Sequence, residues 1–452
     1  MVDFTQRTPL IAAGLLLALC APPGLADDWA SDWEDDGWAD EEWDEAPRSR
    51  LPFTLHGFVE AAAGVHLQSN PAVKEQIDQR WNLAETRLQL ELNGDWQQVS
   101  YRVRGDLVAD GVEDEVRAEL REALFSTSTG AVDWRVGRQV LTWGTGDLLF
   151  INDLFPKDWE SFLIGRDEDY LKAPSDALRT TWHADALTVD LVWTPVFNPD
   201  QYVDGGRLSY FNPQTGAASA ESISDLSREP RSFPSDGELA LRLATRIDGR
   251  EFALYGYRGF YPQPDDARAM PSGKLEHPRL NVYGASVRAP LGAGLINAEV
   301  GYYDSVDNRS GDQAGALPNS EVRFLVGYDW ELITHLNVGV QYYQEWTQDF
   351  DQLEQAMVAR GNPSDWAGKE HRHLLTARLT YTQWRGDLVW SLFGFASPNE
   401  QDFYLRPSVR YRYSDALTLS TGANLFGGRD DFSFFGQFEE DSNFWARARY
   451  RF

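Results

Sequence analysis

The connections between strand-like segments alternate between short and long, and this parity limits the fold more than any motif does. Every second connection is a tight turn: "GDWQQ" at 94–98, "TGAV" at 129–132, "HADAL" at 183–187, "DGR" at 248–250, "PLGAG" at 290–294, "LITH" at 332–335, "WRGD" at 384–387 and "SDAL" at 414–417. The others are mostly long: 68–80, 142–176, 197–236, 261–278, 305–320, 347–370 and 427–441. Between them lie eighteen segments near the length a tilted membrane strand needs, about ten residues. A soluble sandwich has no reason to sort its loops by parity. A membrane barrel has short periplasmic turns on one rim and long extracellular loops on the other. We therefore expect an all-β fold, an antiparallel transmembrane barrel of about eighteen strands. An even count puts both barrel ends on the short-turn side. The pair within 177–196 is the weakest, and a count of sixteen follows if it lies in a loop.

Side-chain alternation points the same way, since residues i and i+2 of a strand share a face. In 403–413, Leu405, Val409, Tyr411 and Tyr413 share one face and Arg406, Ser408, Arg410 and Arg412 the other. In 374–382, Leu375, Ala377, Leu379 and Tyr381 oppose Thr376, Arg378 and Thr380. The chain ends on "NFWARARYRF": Phe444, Ala446, Ala448, Tyr450 and Phe452 oppose Arg447, Arg449 and Arg451. The apolar faces are expected to meet lipid and the polar faces a wet lumen. A closed barrel also satisfies every backbone group without water. Trp96, Trp134, Trp330, Trp346 and Trp384, near segment ends, suit interfacial aromatic belts. A last strand that ends in an aromatic residue such as Phe452 resembles those of outer-membrane barrel proteins. The resemblance implies that this strand is what the barrel-insertion machinery reads.

Composition narrows the alternatives. The chain has 41 Lys+Arg against 70 Asp+Glu, a formal charge of −29, which argues against nucleic acid or an anionic surface as a general partner. Arg7, the apolar run 10–19 and "GLA" at 24–26 read as a secretory signal peptide over 1–26. Cys20, the single cysteine, sits inside that segment, so the remainder has no disulfide framework. A lipid-anchor reading of Cys20 is disfavoured by Leu19, where a small residue is wanted. No later run reaches the roughly 18 apolar residues of a membrane helix. The organisation expected is a signal peptide 1–26, an acidic tail 27–51 and a barrel 52–452 in the outer membrane of a Gram-negative bacterium.

Alternation places Arg87, Arg102, Arg104, Arg117 and Arg121 inward on the second to fourth strands. It places Arg406, Arg410, Arg412, Arg447, Arg449 and Arg451 inward on the sixteenth and eighteenth. Closure puts the last strand beside the first, so the two groups are expected to form one positive wall, diluted by Glu85, Glu91, Asp106 and Glu119. Such a lining sets selectivity; the alternative is that arginines and acids only satisfy one another. The 142–176 connection is far longer than joining two strands requires. Its apolar residues, Leu148 to Ile151, Leu154, Phe155, Trp159 and Phe162 to Ile164, want burial. It also carries Asp147, Asp153, Asp158, Glu160, Asp167, Glu168 and Asp169. We expect a constriction loop folded into the barrel with its acids facing the arginine wall; the alternative is a lid over the outer mouth.

The stretch "VGRQVLTWGTGD", Val136 to Asp147, lies where a strand ends and the long loop begins. It resembles a motif at the same place in porin-like barrels. The eighteen-strand layout and arginine-rich lumen are also similar to those of alginate-export-type barrels and substrate-specific porins. The resemblance implies a channel and leaves the solute open. Gly144 and Gly146 read equally well as turn glycines.

The tail 27–46 holds acids, no base, and Trp29, Trp33, Trp38 and Trp43. It reads as a solvated leader or as a docking peptide whose tryptophans anchor a periplasmic partner. His371 and His373 start a strand with no third ligand nearby, so a polar rim pair is preferred to a metal site. No nucleophile elbow, phosphate loop or His-Glu-x-x-His stretch is present. We expect no enzyme activity and no cofactor. The expected function is passive or facilitated diffusion of hydrophilic, anionic or zwitterionic solutes. The alternatives are export of an anionic polymer, docked to a periplasmic machine through the acidic tail, and a structural barrel that sleeves a partner protein.

Overall fold

The computed structural model describes residues 53–452 except 72, 74–79, 214, 222–226, 266–274 and 314–315. The signal peptide, the acidic tail with Trp29, Trp33, Trp38 and Trp43, and Cys20 lie outside the described residues. Eighteen antiparallel strands form one closed sheet. In chain order they are β1 Phe53–His66, β2 Trp81–Trp96, β3 Val99–Asp110, β4 Glu115–Thr129, β5 Val132–Val140, β6 Pro174–His183, β7 Thr188–Thr194, β8 Glu238–Ile247 and β9 Arg250–Phe260. The second half comprises β10 Arg279–Leu291, β11 Gly294–Ser305, β12 Glu321–Ile333, β13 Leu336–Thr347, β14 His371–Gln383, β15 Leu388–Ser397, β16 Asp402–Arg412, β17 Leu417–Gly428 and β18 Asn443–Arg451. Each strand pairs with its sequence neighbour, and β1 pairs with β18 to close the barrel, Glu60 opposite Arg449 and Ala62 opposite Arg447. Closure leaves no sheet edge to template aggregation. The weakest pair of the sequence reading, β6 and β7, is part of the wall: β6 pairs with β5 and β7 with β8.

The tight rim follows from local chemistry. Asp248 and Gly249 both adopt positive φ, 50° and 74°, between Ile247 and Arg250. That is the two-residue turn whose twist matches paired strands, and Asp-Gly is the sequence that tolerates it. On the opposite rim the links from β3 to β4 and from β15 to β16 are also short, so the parity is a strong tendency with two exceptions.

The outer surface is apolar. Leu90, Leu107, Leu120, Phe125, Leu254, Val300, Phe324, Val340, Leu375, Leu392 and Leu419 are all exposed there. A belt this continuous is far larger than the patches water-soluble monomers leave open. Trp96, Trp134, Trp346 and Trp384 are exposed near strand ends. The apolar core lies inside the barrel instead. Tyr404, Phe426, Trp445, Phe393 and Phe395 of β15–β18 pack there with Phe162, Leu163 and Ile164 of the long connection.

Candidate functional site in the lumen

The connection from β5 to β6 turns inward. Its apolar residues Ile151, Phe155, Phe162, Leu163 and Ile164 are buried. A short helix, α1 Trp159–Ile164, seats Phe162 edge-on against Tyr404, with ring centroids 5.8 Å apart. Gly165 ends the helix in the left-handed region at φ 91°. A Cβ at Gly165 would overlap the Trp445 ring, so this close approach needs glycine for space as well as for conformation. Two of the acids expected to face arginines are spent on folding the loop. Asp158 caps α1, accepting from the Ser161 amide at 2.8 Å. Asp153 is buried and pairs with Lys157 at 3.1 Å. A loop that folds inside a barrel must satisfy its own polar groups first.

The entry of the loop binds the wall of β11–β14. The Thr145 amide donates to Glu299, as do the Thr145 hydroxyl and the Gly146 amide, both at 2.9 Å. Asn152 donates to the same carboxylate at 2.8 Å. Asn297 donates to the Thr145 carbonyl at 2.7 Å. Gln341 accepts from the Asp147 amide and donates to its carbonyl, both at 2.8 Å. The Asp147 side chain meets Arg378 of β14 at 2.5 Å. Gly144 adopts φ 84°, and a Cβ at Gly146 would strike the Leu149 carbonyl. Gly144 and Gly146 thus let the chain double back onto Glu299.

The exit of the loop reaches β14, β16, β18 and β3. Asp167 meets Arg449 at 2.8 Å and Arg447 at 3.4 Å. Glu168 meets Arg378 at 3.2 Å and Arg406 at 3.7 Å. The Tyr170 hydroxyl donates to Asp106 at 2.9 Å, and its ring takes Arg87 and Arg121 at 4.2 and 4.7 Å from the centroid. Arg121 also donates to the carbonyls of Asp169 and Lys172, at 3.2 and 3.0 Å. Arg87, Arg121, Arg378 and Arg406 sit part-way along their strands, and Arg449 lies two residues from the end of β18. Burial pushes the Asp167 carboxyl up, but Arg449 and Arg447 outweigh it and hold it at about 2. Burial and the Asp167 charge push Asp169 up.

Two barrels from Acinetobacter baumannii are among the solved structures that match this fold. OccAB3 of Acinetobacter baumannii matches with a TM-score of 0.53 at 9% identity, over 88% of this chain and 99% of its own. OccAB4 of the same organism matches with 0.53 at 9% identity, over 90% of this chain and 100% of its own. At that identity the likeness is one of fold. No family model and no curated protein matches the sequence.

The single positive wall expected across β2–β4 and β16–β18 is corrected. Arg87 meets Asp106 at 2.5 Å, Glu85 at 3.3 Å and Glu119 at 3.4 Å. Arg117 meets Glu119 at 2.5 Å, Asp110 at 3.0 Å and Glu115 at 3.1 Å. Arg104 meets Glu91 at 2.6 Å, and Arg102 reaches Glu91 and Glu122 at 3.7 Å. Acids on this stretch are numerous enough to attract two further arginines from the loops. Arg166 follows α1 and binds Glu85, its Nε at 2.9 Å. Arg207, from the connection between β7 and β8, binds Asp110 and lies 3.3 Å from Glu160. Burial pushes Glu160 up to about 7 even with Arg207 and Arg166 beside it. A dense buried network is what such charges need to offset their desolvation.

What stays positive is the β16–β18 wall. Arg406, Arg447 and Arg449 face the loop acids, with Glu60 of β1 taking Arg449 at 2.7 Å and Arg447 at 3.6 Å. Arg412 pairs with Asp387 at 2.7 Å near the tight rim. Arg410 and Arg451 are exposed, and among the described residues no acid lies within ion-pair distance of either. His371 and His373 face outward, stacked on Trp346 and Tyr342. Alternation places Arg378 on the lumen face, and the same pattern could have singled out Glu60 and Glu299 as inward-facing. Arg166 and Arg207 carried no such signal, because they lie on connections.

Proposed function

We propose that the chain is an outer-membrane channel through which hydrophilic solutes diffuse, with a preference for negative charge. The observation that carries the reading is the docking of the in-folded loop on the β16–β18 wall, Asp167 on Arg447 and Arg449 and Glu168 on Arg406. Ion pairs that hold a loop inside a barrel narrow its lumen, and the charged lining that remains selects ions. Arg410 and Arg451 extend the positive side toward the tight rim and supply the surplus that would draw an anion. The apolar outer belt and the closed antiparallel barrel support a membrane setting. In this reading the long connections face outside, the loop at 142–176 is the constriction, and no chemistry is performed. The barrel-insertion machinery is the partner inferred from the strand ending at Phe452.

Reconstitution in planar bilayers under a salt gradient tests this. Stepwise conductance with an anion-biased reversal potential is expected. The bias should shrink in Arg406→Ala, Arg410→Ala and Arg449→Ala. Deleting 147–169 should raise single-channel conductance; unchanged conductance would remove the constriction role. Export of an anionic polymer, or a sleeve around a partner, rests on the tail 27–51; a silent barrel that conducts only with a bound partner would favour those readings.

A further inference from the structure

Three exposed arginines, Arg258, Arg279 and Arg309, cluster near the long-connection rim. Arg258 of β9 lies directly opposite Asn281 of β10, and Asn281 opposite Asp304 of β11. Arg258, Asn281 and Asp304 therefore form one cross-strand row, and Arg279, opposite Phe260, sits two residues nearer the rim. Arg309, just beyond β11, folds back and grips Asp304 with both arms of its guanidinium, at 2.8 and 2.6 Å. Asn281 donates to the same carboxylate at 3.1 Å. Asp304 is thereby buried and neutralised while the Arg309 side chain stays 59% exposed. Arg258 and Arg279 are exposed, and among the described residues no acid lies within ion-pair distance of either. The other acid at hand, Asp307, accepts the Arg279 amide at 3.0 Å. The next outward row toward the middle of the barrel pairs Tyr283 with Tyr302, both exposed.

An outward arginine costs about 2–4 kcal/mol at the bilayer midplane and close to nothing at the interface. The row therefore marks headgroup height, and the tyrosines beneath it fit the interfacial belt. At that height the counter-charge on offer is phosphate, whose oxygens a guanidinium binds in a planar fork. We propose that the outer face of β9–β11 at this rim is a binding site for a phosphorylated glycolipid of the outer leaflet. Arg258, Arg279 and Arg309 take its phosphates, and Asn281, Tyr283 and Tyr302 meet its sugar hydroxyls. This rests on the outward placement of the long connections proposed above.

The test uses the full barrel in detergent, with bound lipid counted by native mass spectrometry. The probes are bisphosphorylated lipid A, the same glycolipid stripped of phosphate, and phosphatidylglycerol. Lipid A should be retained, and retention should fall by about tenfold in the double variant R258Q/R279Q and for the stripped glycolipid. Equal retention by the double variant overturns the site. So does phosphatidylglycerol held as firmly as lipid A, which would reduce it to general anionic attraction. Far-ultraviolet circular dichroism confirms that the variant keeps its barrel. Because these side chains face away from the lumen, conductance should be unchanged. A silent channel with lipid A still retained would sink the channel reading and leave this site standing.

Discussion

Arg166 and Arg207 belong to different connections and close on the same carboxylate, Glu85, Arg166 from its Nε at 2.9 Å and Arg207 at 3.8 Å. Asp110 completes the grip, bound by Arg207 and 3.9 Å from Arg166. The in-folded loop and the connection between β7 and β8 thus share one anchor on β2 and β3. All four side chains are nearly excluded from solvent. Removing one partner of such a group leaves buried charge uncompensated, a cost of about 3–5 kcal/mol. Arg207→Met should therefore loosen both loops, read as faster proteolysis at 199–212 and faster amide exchange at Arg166. Unchanged exchange at Arg166 would show that the two loops are held independently.

Asp167→Asn should make the channel more anion-selective. It removes the charge that offsets Arg447 and Arg449 without changing the side chain's size. A change on the order of 1 kcal/mol in relative ion energy corresponds to about a fivefold change in permeability ratio. Reversal potentials in a salt gradient measure it, and a shift toward cations would contradict the assignment.

Gly165→Ala should loosen the in-folded loop. Alanine at φ 91° sits in the left-handed region, which costs about 1–2 kcal/mol, and its methyl meets the Trp445 ring. The expected result is noisier open-state current with a larger mean. Trp445→Ala combined with Gly165→Ala should show less than the sum of the single effects, because the steric part is shared.

Acidity should act on the outer connections in the direction set by Asp441. Burial pushes this carboxyl up to about 7, against the Ser209 amide and hydroxyl that donate to it at 2.9 and 2.7 Å. Its folded value lies above its ordinary value of 3.8, so the protonated form favours the fold. That contribution is full below the ordinary value and is lost as pH rises through about 7. Asp167, held at about 2, has the opposite sign: its contribution is present above 3.8 and lost as pH falls through about 2. Exchange at the Ser209 amide, corrected for its intrinsic rate, should speed up between pH 5 and 8. Asp441→Asn should flatten that dependence.

The barrel was legible because its signals are local. Alternation marks a strand and its two faces, and a dipeptide such as Asp248-Gly249 marks a tight turn, with no knowledge of distant residues. Even the weak β6–β7 pair was placed by its flanking turns. Partnerships were not legible. Alternation puts Arg87 inward and leaves open whether it stands alone or within reach of Asp106, Glu85 and Glu119. A bulge in β4 shows the limit on parity itself. Arg104 opposes Glu122 while Gly105 opposes Leu120, so Arg121 is left over. Arg121 and Glu122 then both turn inward, and counting by twos from Arg117 predicts the first and misses the second. Loop arginines such as Arg207 carry no periodicity at all, so their docking shows only in three dimensions.

The loop's ion pairs also bear on how such a barrel is assembled. Asp167 bonds Arg449 across a separation of 282 residues, while Tyr170 holds β3 on the other side of the β1–β18 junction. The loop therefore spans the last gap to close. Contacts of such long sequence separation form late and slowly, and a loop left outside a finished barrel would have to be threaded back through its mouth. With the loop already seated against β2 and β3, Asp167 presents a charged landing point for the incoming β18. The segment that folds into the barrel would then also be the mandrel against which β18 is laid.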